Sequence, residues 1–179
     1  SPLNIVGYGT ERVEEELQML FPDIAISRMD ADTTATRGAH HRILDEFRTG
    51  KTQLLVGTQL VAKGHDFPSV TMAAVIGVDH VLTLPDFRSA ERTFALVTQL
   101  AGRAGRGSEP GQVLVQTRHP DHFVFRIISK QDGQDPGPQF YQQELRQRHI
   151  LRYPPSSRLV LLGLEGEQRD RVRMLSIEL

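Results

Sequence analysis

Between residues 3 and 131, short apolar runs rich in β-branched side chains alternate with amphipathic segments. This alternation is typical of repeated strand–helix units, in which helices cover both faces of a parallel sheet. The predicted strands are residues 3–6, 24–27, 53–56, 70–76 and 112–116, and the predicted helices are 10–20, 37–47 and 90–101. The pattern therefore predicts a three-layer α/β domain with a mainly parallel sheet.

Capping residues indicate where two of these helices begin and end. Thr10 is a candidate N-cap for the first helix, and residues 32–34 offer N-caps for the second. Gly50 is expected to end the second helix. We interpret Asp30 and Asp32 as turn and cap residues rather than as a catalytic carboxylate pair.

A segment rich in proline and glycine, residues 132–138, interrupts the alternating pattern. It predicts a linker between a domain at 1–131 and a segment at 139–179. In that last segment, residues 139–148 and 168–179 are predicted to be helical and 159–164 to form a strand. So short a segment seldom makes its own core, so we expect the beginning of a truncated small α+β domain.

The composition excludes several classes of protein. With 39% hydrophobic and 24% charged residues and a net charge of -1, the chain is neither disordered nor basic overall. It has no apolar run of the roughly 18 to 20 residues that span a bilayer and no signal peptide, so we expect a cytoplasmic protein without a membrane partner. There is no cysteine, and His119 and His122 are interpreted as surface residues, so no metal site is predicted.

The segment QLAGRAGR, residues 99–106, predicts phosphate chemistry. Arg103 and Arg106 are three residues apart and can direct their guanidinium groups at one place, while Gly102 and Gly105 allow a ligand to approach the backbone. Such a pair of planar donors suits the γ-phosphate of a nucleotide. A helix that ends in a glycine-rich C-cap explains the same residues, and this segment alone does not separate the two interpretations.

The stretch GTQLVAKGHDF follows a predicted strand at its carboxyl end, where parallel α/β sheets place their ligands. Thr58 and Gln59 can donate hydrogen bonds to phosphate or sugar oxygens, and Lys63 adds a positive charge. Gly64 begins a turn from which Asp66 can accept a hydrogen bond from a ribose hydroxyl. Taken alone, Asp66 is also explained as a solvated turn residue and Thr58 as a helix N-cap.

Together these two segments resemble motifs V and VI of the superfamily 2 helicases. Further blocks resemble the primosomal replication-restart branch of that family; they are residues 9–12, 28–34, 62–68, 85–92 and 153–155. The resemblance extends from about residue 7 to residue 159. It implies the second RecA-like lobe of a P-loop NTPase motor, followed by the beginning of a C-terminal domain.

The resemblance also implies roles for individual residues. Arg106 corresponds to the arginine finger, and Arg103 to its phosphate-side partner. The residues assigned to the nucleotide are Asp66, Gly64 and Gln99, and those assigned to the DNA backbone are Thr58, Gln59 and Lys63. In helicases of this kind the finger reaches a nucleotide bound to the other lobe, so hydrolysis requires both lobes.

The first lobe has no counterpart in this sequence. There is no G-x-x-x-x-G-K-[ST] segment, and no Asp-Glu pair follows an apolar strand to hold Mg²⁺. The resemblance implies that a first lobe in cis binds most of the ATP and Mg²⁺, and that a zinc module belongs to the full-length protein. We expect this chain to begin just after that module and to be inactive alone.

The expected function of the full-length protein is ATP-dependent 3′ to 5′ DNA unwinding in replication restart and primosome assembly. Its expected partners are single-stranded and forked DNA, with replication-restart proteins and single-strand-binding protein as further candidates. The alternative is a non-catalytic scaffold that binds fork DNA in the same apparatus, because a fold does not determine a function.

Overall fold

The computed structural model describes residues 9–36, 38–58, 69–102, 104, 111–130, 134–160, 163–166 and 168–178. The chain divides into two compact units, Ser1–Pro136 and Gly137–Leu179. The assignment of these units to a helicase lobe and to the beginning of a C-terminal domain remains a prediction.

The described part of the first unit alternates helices with parallel strands. Its elements are α1 (Thr10–Leu20), β1 (Ile26–Met29), α2 (Ala39–Arg48), β2 (Leu54–Gly57), β3 (Met72–Val75), α3 (Asp79–Leu82), α4 (Ser89–Ala101), β4 (Gln112–Val115) and α5 (Phe123–Ile128). Strand β1 pairs in parallel with β2, with Met29 opposite Gly57. Strand β3 pairs in parallel with β4, with Val75 opposite Val115. The predicted α/β class is confirmed, and the predicted strand at 3–6 lies outside the described residues.

A hydrophobic cluster between α2 and β1 forms a core of this unit. Met29 at the end of β1 is 0% exposed and packs with Ile43 and Leu44 of α2. The partly buried side chains around this cluster are Phe47, Leu55 and Val70. Residues 43, 44 and 47 share one face of a helix, which explains why α2 covers the strands with this side. Because residue 70 lies just before β3, the cluster also connects the two strand pairs.

Thr10 does not cap the first helix, so that prediction was wrong. Helix α1 begins at Thr10 itself, and its N-cap is Gly9, which has no side chain that could accept a capping hydrogen bond. The Thr10 hydroxyl donates instead to Oδ2 of Asp30, at 2.6 Å. A tertiary hydrogen bond to the end of β1 has therefore replaced the local capping bond.

The two ends of α2 differ in how well the sequence predicted them. Residues 32–34 do not cap it, because its N-cap is Gly38, whose φ of 84° is a left-handed conformation that favours glycine. The polar groups of residues 32–34 bond to Asp30 instead. The predicted end of the helix is confirmed, since Gly50 has a φ of 75° just after the last turn.

The described part of the second unit contains two helices, α6 (Gly137–Ile150) and α7 (Arg169–Glu178). Both were predicted. The predicted strand at 159–164 was wrong for residues 159, 160, 163 and 164, which have no regular secondary structure. Leu159 and Val160 are 57% and 76% exposed. A strand must pair its backbone groups with a neighbour, and the described residues of this unit contain no other strand that could do so.

Candidate functional site

Of the predicted site residues, Thr58 and Gln99 belong to the described part of the chain. The others lie outside it: Gln59, Lys63, Gly64, Asp66, Arg103 and Arg106. The structure therefore shows the elements that lead into the predicted sites, and the roles of these residues remain proposals.

Thr58 lies at the carboxyl edge of the strand pair β1–β2. It follows the last residue of β2 directly and is exposed. Because Gly57 is opposite Met29 in a parallel pair, Thr58 and the loop that begins at Asp30 lie at the same edge. This is the edge at which parallel sheets bind ligands. The position of Thr58 is thus accessible to a ligand such as a DNA backbone.

The buried carboxylate of Asp30 organises the loop after β1. Its Oδ2 accepts the Thr10 hydroxyl at 2.6 Å, and its Oδ1 accepts the backbone N–H groups of Asp32 and Thr33 at 3.1 and 2.9 Å. An ion pair of 3.3 Å joins it to Arg28. The Thr10 hydrogen bond, followed by the Thr33 N–H, lowers the pKa of Asp30 to about 2. Asp30 is therefore a structural turn residue, as its sequence context indicated.

We expect Asp30→Asn to reduce the free energy of unfolding at pH 7 by about 1 to 3 kcal/mol, because several donors lose a charged acceptor. The pKa of Asp30 is about 2 in the folded chain, against an ordinary value of 3.8. Its stabilising effect is therefore complete above that ordinary value and is lost as the pH falls through about 2. Denaturant unfolding at pH 7 and at acid pH measures this effect.

The control for this substitution is Asp45→Asn, which removes a carboxylate that is 67% exposed and pairs with Arg48 of the same helix. We expect it to change the free energy of unfolding by less than about 1 kcal/mol. A deficit of Asp30→Asn that is equally large at neutral and at acid pH would contradict the electrostatic explanation.

Helix α4 leads from β3 toward the predicted phosphate site. It packs one face against β3, β4, α3 and α5. The buried residues on that face are Ser89, Thr93, Phe94 and Val97. Gln99 lies in the last turn of α4 and is exposed. Gln99, the first residue of the QLAGRAGR segment, is thus on the side of α4 opposite the face that packs against the rest of the unit.

The helical hydrogen bonds continue past the end of α4. The Gly102 N–H bonds to the Thr98 carbonyl at 2.9 Å, and the Ala104 N–H bonds to the Leu100 carbonyl at 3.1 Å. Gly102 has φ -69° and ψ -6°, which is a right-handed helical conformation. Gly102 is the C-cap of α4, so the helix does end at a glycine, as the alternative interpretation of this segment expected, although the cap is not left-handed. A Cβ there would lie 3.5 Å from the Thr98 oxygen, an ordinary contact, so the packing described here does not require glycine.

A turn held by Asp86 precedes α4. Its carboxylate accepts the Arg88 N–H at 2.9 Å and pairs with Arg92 at 2.9 Å. The Arg88 N–H is the main cause that lowers the pKa of Asp86. The Arg88 Cζ lies 5.5 Å from the centre of the Phe87 ring, and that ring is partly buried. These contacts fix the start of the helix that carries Gln99.

Asp79 is an organising residue that the sequence reasoning missed. The Thr117 hydroxyl donates to Oδ1 of Asp79 at 2.6 Å, and the Arg118 N–H donates to Oδ2 at 2.9 Å. The Thr117 hydrogen bond is the main cause that lowers the pKa of Asp79. This carboxylate joins the segments that follow β3 and β4. A polar residue shortly after each of two neighbouring predicted strands was the signal that could have revealed it.

The histidine pair at 119 and 122 does not form part of a metal site in the described residues. His122 is the N-cap of α5, and its Nδ1 accepts the Val124 N–H at 3.4 Å. The described residues contain no group of three or more His, Asp or Glu side chains placed to hold a metal ion. In the same part of the chain, no helix has the length and apolar character needed to cross a membrane.

The comparison with protein families decides how these elements are classified. Residues 4–108, more than half of the chain, match the family described as the helicase conserved C-terminal domain. The chain belongs to this family. The predicted resemblance to helicases is thereby confirmed, and the α/β class of the helicase C-terminal domain agrees with the parallel strands and packed helices described above.

Several relatives of this helicase C-terminal domain carry the name replication restart protein PriA. The protein of Bacillus subtilis is 45% identical over 93% of this chain and 20% of its own length. That of Synechocystis is 44% identical over 95% of this chain and 20% of its own length. That of Haemophilus influenzae is 39% identical over 92% of this chain and 22% of its own length. The chain spans about a fifth of the length of these curated relatives, and it is similar to their helicase C-terminal region.

Proposed function

We propose that this helicase C-terminal domain is the second motor lobe of an ATP-dependent DNA helicase that acts in replication restart with 3′ to 5′ polarity. The observation that carries the proposal is the similarity to PriA over 93% of the chain. That span includes both the segment after β2 and the segment after α4. A motor needs both segments, because the segment after β2 carries the proposed DNA contacts and part of the nucleotide contacts, and the segment after α4 carries the proposed arginine finger.

On the nucleotide side, Arg106 acts as an arginine finger and Arg103 assists it. Planar guanidinium donors stabilise the negative charge that develops on the transferred phosphoryl oxygens. Helix α4 and its continued hydrogen bonds to Ala104 support this segment from the core side. Gln99, Gly64 and Asp66 complete the contacts to the nucleotide. A first lobe in cis holds most of the ATP and Mg²⁺.

On the DNA side, Thr58, Gln59 and Lys63 contact the backbone of a single strand. Phosphate and sugar contacts of this kind position DNA without reading its sequence. Thr58 is exposed at the carboxyl edge of β2, which is consistent with this role. Closure of the two lobes on ATP then moves the DNA contacts of one lobe relative to those of the other.

We expect Thr58→Ala combined with Gln59→Ala to weaken binding of the intact protein to single-stranded DNA about tenfold, since two backbone contacts of roughly 0.5 to 1.5 kcal/mol each are removed. The DNA concentration that half-saturates ATP hydrolysis should rise in parallel. Fluorescence anisotropy with a labelled oligonucleotide measures the affinity. The matched control is Thr49→Ala, which removes an exposed hydroxyl at the end of α2. Unchanged affinity of the double variant would refute the assignment.

Steady-state ATP hydrolysis by the intact protein, with and without single-stranded or forked DNA, tests the proposed function. Stimulation by DNA supports the motor. Binding to forks without any hydrolysis would instead identify a non-catalytic scaffold. The zinc module, the replication-restart proteins and single-strand-binding protein as partners, and the cytoplasmic location are part of the same proposal.

A further inference from the structure

The carboxyl edge of the strand pair β1–β2 brings Asp30 next to Thr58. Met29 is opposite Gly57 in the parallel register, and Asp30 and Thr58 each follow one of these two residues directly. Neighbouring strands lie about 4.8 Å apart, so the chain leaves the pair at two adjacent positions. Asp30 is 6% exposed, whereas Thr58 is exposed. A buried carboxylate therefore lies beside the proposed DNA contact.

Both oxygens of the Asp30 carboxylate accept hydrogen bonds from the chain itself. Oδ2 accepts the Thr10 hydroxyl at 2.6 Å, and Oδ1 accepts the N–H groups of Asp32 and Thr33 at 3.1 and 2.9 Å. The guanidinium of Arg28 lies 3.3 Å from Oδ2 and partly offsets the negative charge. A carboxylate held in this way by its own chain connects segments rather than contacting a ligand.

The segment that Asp30 connects to the strand edge is the start of α1. Thr10 is the first residue of this helix, and one turn later Glu14 pairs with Arg28 of β1 at 3.1 Å. Residues four apart lie on the same face of a helix, so both bonds hold one side of α1. The helix packs against both β1 and β2. Loss of the Thr10 hydroxyl therefore loosens α1 and the loop after β1 together, beside Thr58.

We propose that Thr10 and Asp30 are positioning residues for the DNA contact at Thr58. Their hydrogen bond holds the start of α1 and the loop after β1 in one arrangement, so that the edge at Thr58 is ready to receive the backbone of a single strand. Binding to a site that is already ordered costs less conformational entropy, which raises the affinity. The inference rests on the proposed function, because it states what holds the DNA contact of the motor in place.

The first test is Thr10→Val in the intact protein, which removes the hydroxyl and keeps a β-branched side chain. We expect the single-stranded DNA concentration that half-saturates ATP hydrolysis to rise about twofold to tenfold, the usual contribution of one hydrogen bond. The rate at saturating DNA should stay unchanged, because the residues assigned to the nucleotide are untouched. Thr10→Ser keeps the donor and should restore the half-saturating concentration.

The chain offers a matched control at its other strand pair. The Thr117 hydroxyl donates to Asp79 at 2.6 Å, the same distance as from Thr10 to Asp30. Both threonines are partly buried, and neither Thr117 nor Asp79 is assigned to DNA or to the nucleotide. We expect Thr117→Val to leave the half-saturating DNA concentration unchanged. An equal rise in both valine variants would reflect a general loss of stability and would overturn the positioning role.

A double-mutant cycle shows whether Thr10 acts through Thr58. Fluorescence anisotropy with a labelled single-stranded oligonucleotide, without nucleotide, gives the affinities of Thr10→Val, Thr58→Ala and the double variant. Residues that act through one contact have non-additive effects. We therefore expect Thr10→Val to weaken binding no further once Thr58→Ala is present. Additive losses would mean that Thr10 affects DNA binding by another route, and they would overturn the inference.

The same measurements separate this inference from the proposed function. Absence of ATP hydrolysis in the unchanged protein would count against the motor, and the anisotropy cycle would still decide the role of Thr10. If Thr58→Ala weakens DNA binding and Thr10→Val does not, the positioning role alone fails. If Thr58→Ala leaves the affinity unchanged, the DNA contact at Thr58 fails and the positioning role fails with it.

Discussion

Arg106→Ala in the intact protein is expected to abolish DNA-stimulated ATP hydrolysis. An arginine finger is typically worth about 10³ to 10⁵ in rate, because its guanidinium stabilises charge that appears only in the transition state. DNA affinity in the absence of nucleotide should change little, since the finger is assigned to the nucleotide side. Steady-state hydrolysis with saturating single-stranded DNA measures the first effect, and anisotropy measures the second.

Two further variants sharpen this test. Arg106→Lys keeps the charge but loses the planar pair of donors, so we expect it to remain strongly impaired. Arg42→Ala removes an exposed arginine from α2 and should leave the rate unchanged. An unchanged rate of ATP hydrolysis in Arg106→Ala would contradict the arginine-finger assignment. It would not affect the membership of the helicase family.

Met29→Ala is expected to lower the free energy of unfolding of the chain by about 2 to 5 kcal/mol, the usual cost of truncating a large buried side chain. Met29 is 0% exposed and packs against Ile43 and Leu44. Its removal leaves a cavity where α2 covers β1. Denaturant unfolding followed by circular dichroism gives the free energy.

The chain provides a matched control for this substitution. Met19 lies in α1 and is 74% exposed, so Met19→Ala should change the free energy of unfolding by less than about 0.5 kcal/mol. Equal effects at the two methionines would contradict the buried cluster. Because Met29 is opposite Gly57, just before Thr58, this cluster also supports the edge at which DNA binding is proposed.

Elements with a strong local pattern were predicted well. The amphipathic pattern of residues 10–20 predicted a helix there, and α1 spans Thr10–Leu20 as predicted. The end of α2 was also predicted, because a glycine in left-handed conformation is a local requirement of that turn. The pattern of residues 159–164 failed because an apolar run forms a strand only when a neighbouring strand accepts its backbone hydrogen bonds.

The polar residues that organise the candidate site were harder to predict. Thr10 had the character of an N-cap, yet its hydroxyl bonds to Asp30, 20 residues away in the chain. Asp79 and Thr117 are 38 residues apart and meet only because β3 and β4 pair in parallel. A polar side chain can bond to several partners, and the partner that it finds depends on which segments the fold brings together. A local sequence pattern does not contain this information.

The sequence by itself determined the α/β class, the helicase resemblance and the residue types at the proposed nucleotide and DNA contacts. Periodicity and short motifs are local properties, so they can be recognised from the order of the residues alone. Only the tertiary structure decided that Asp30 and Asp79 hold the ends of paired strands. These features depend on distances between segments remote in the chain, which the packing of the core sets.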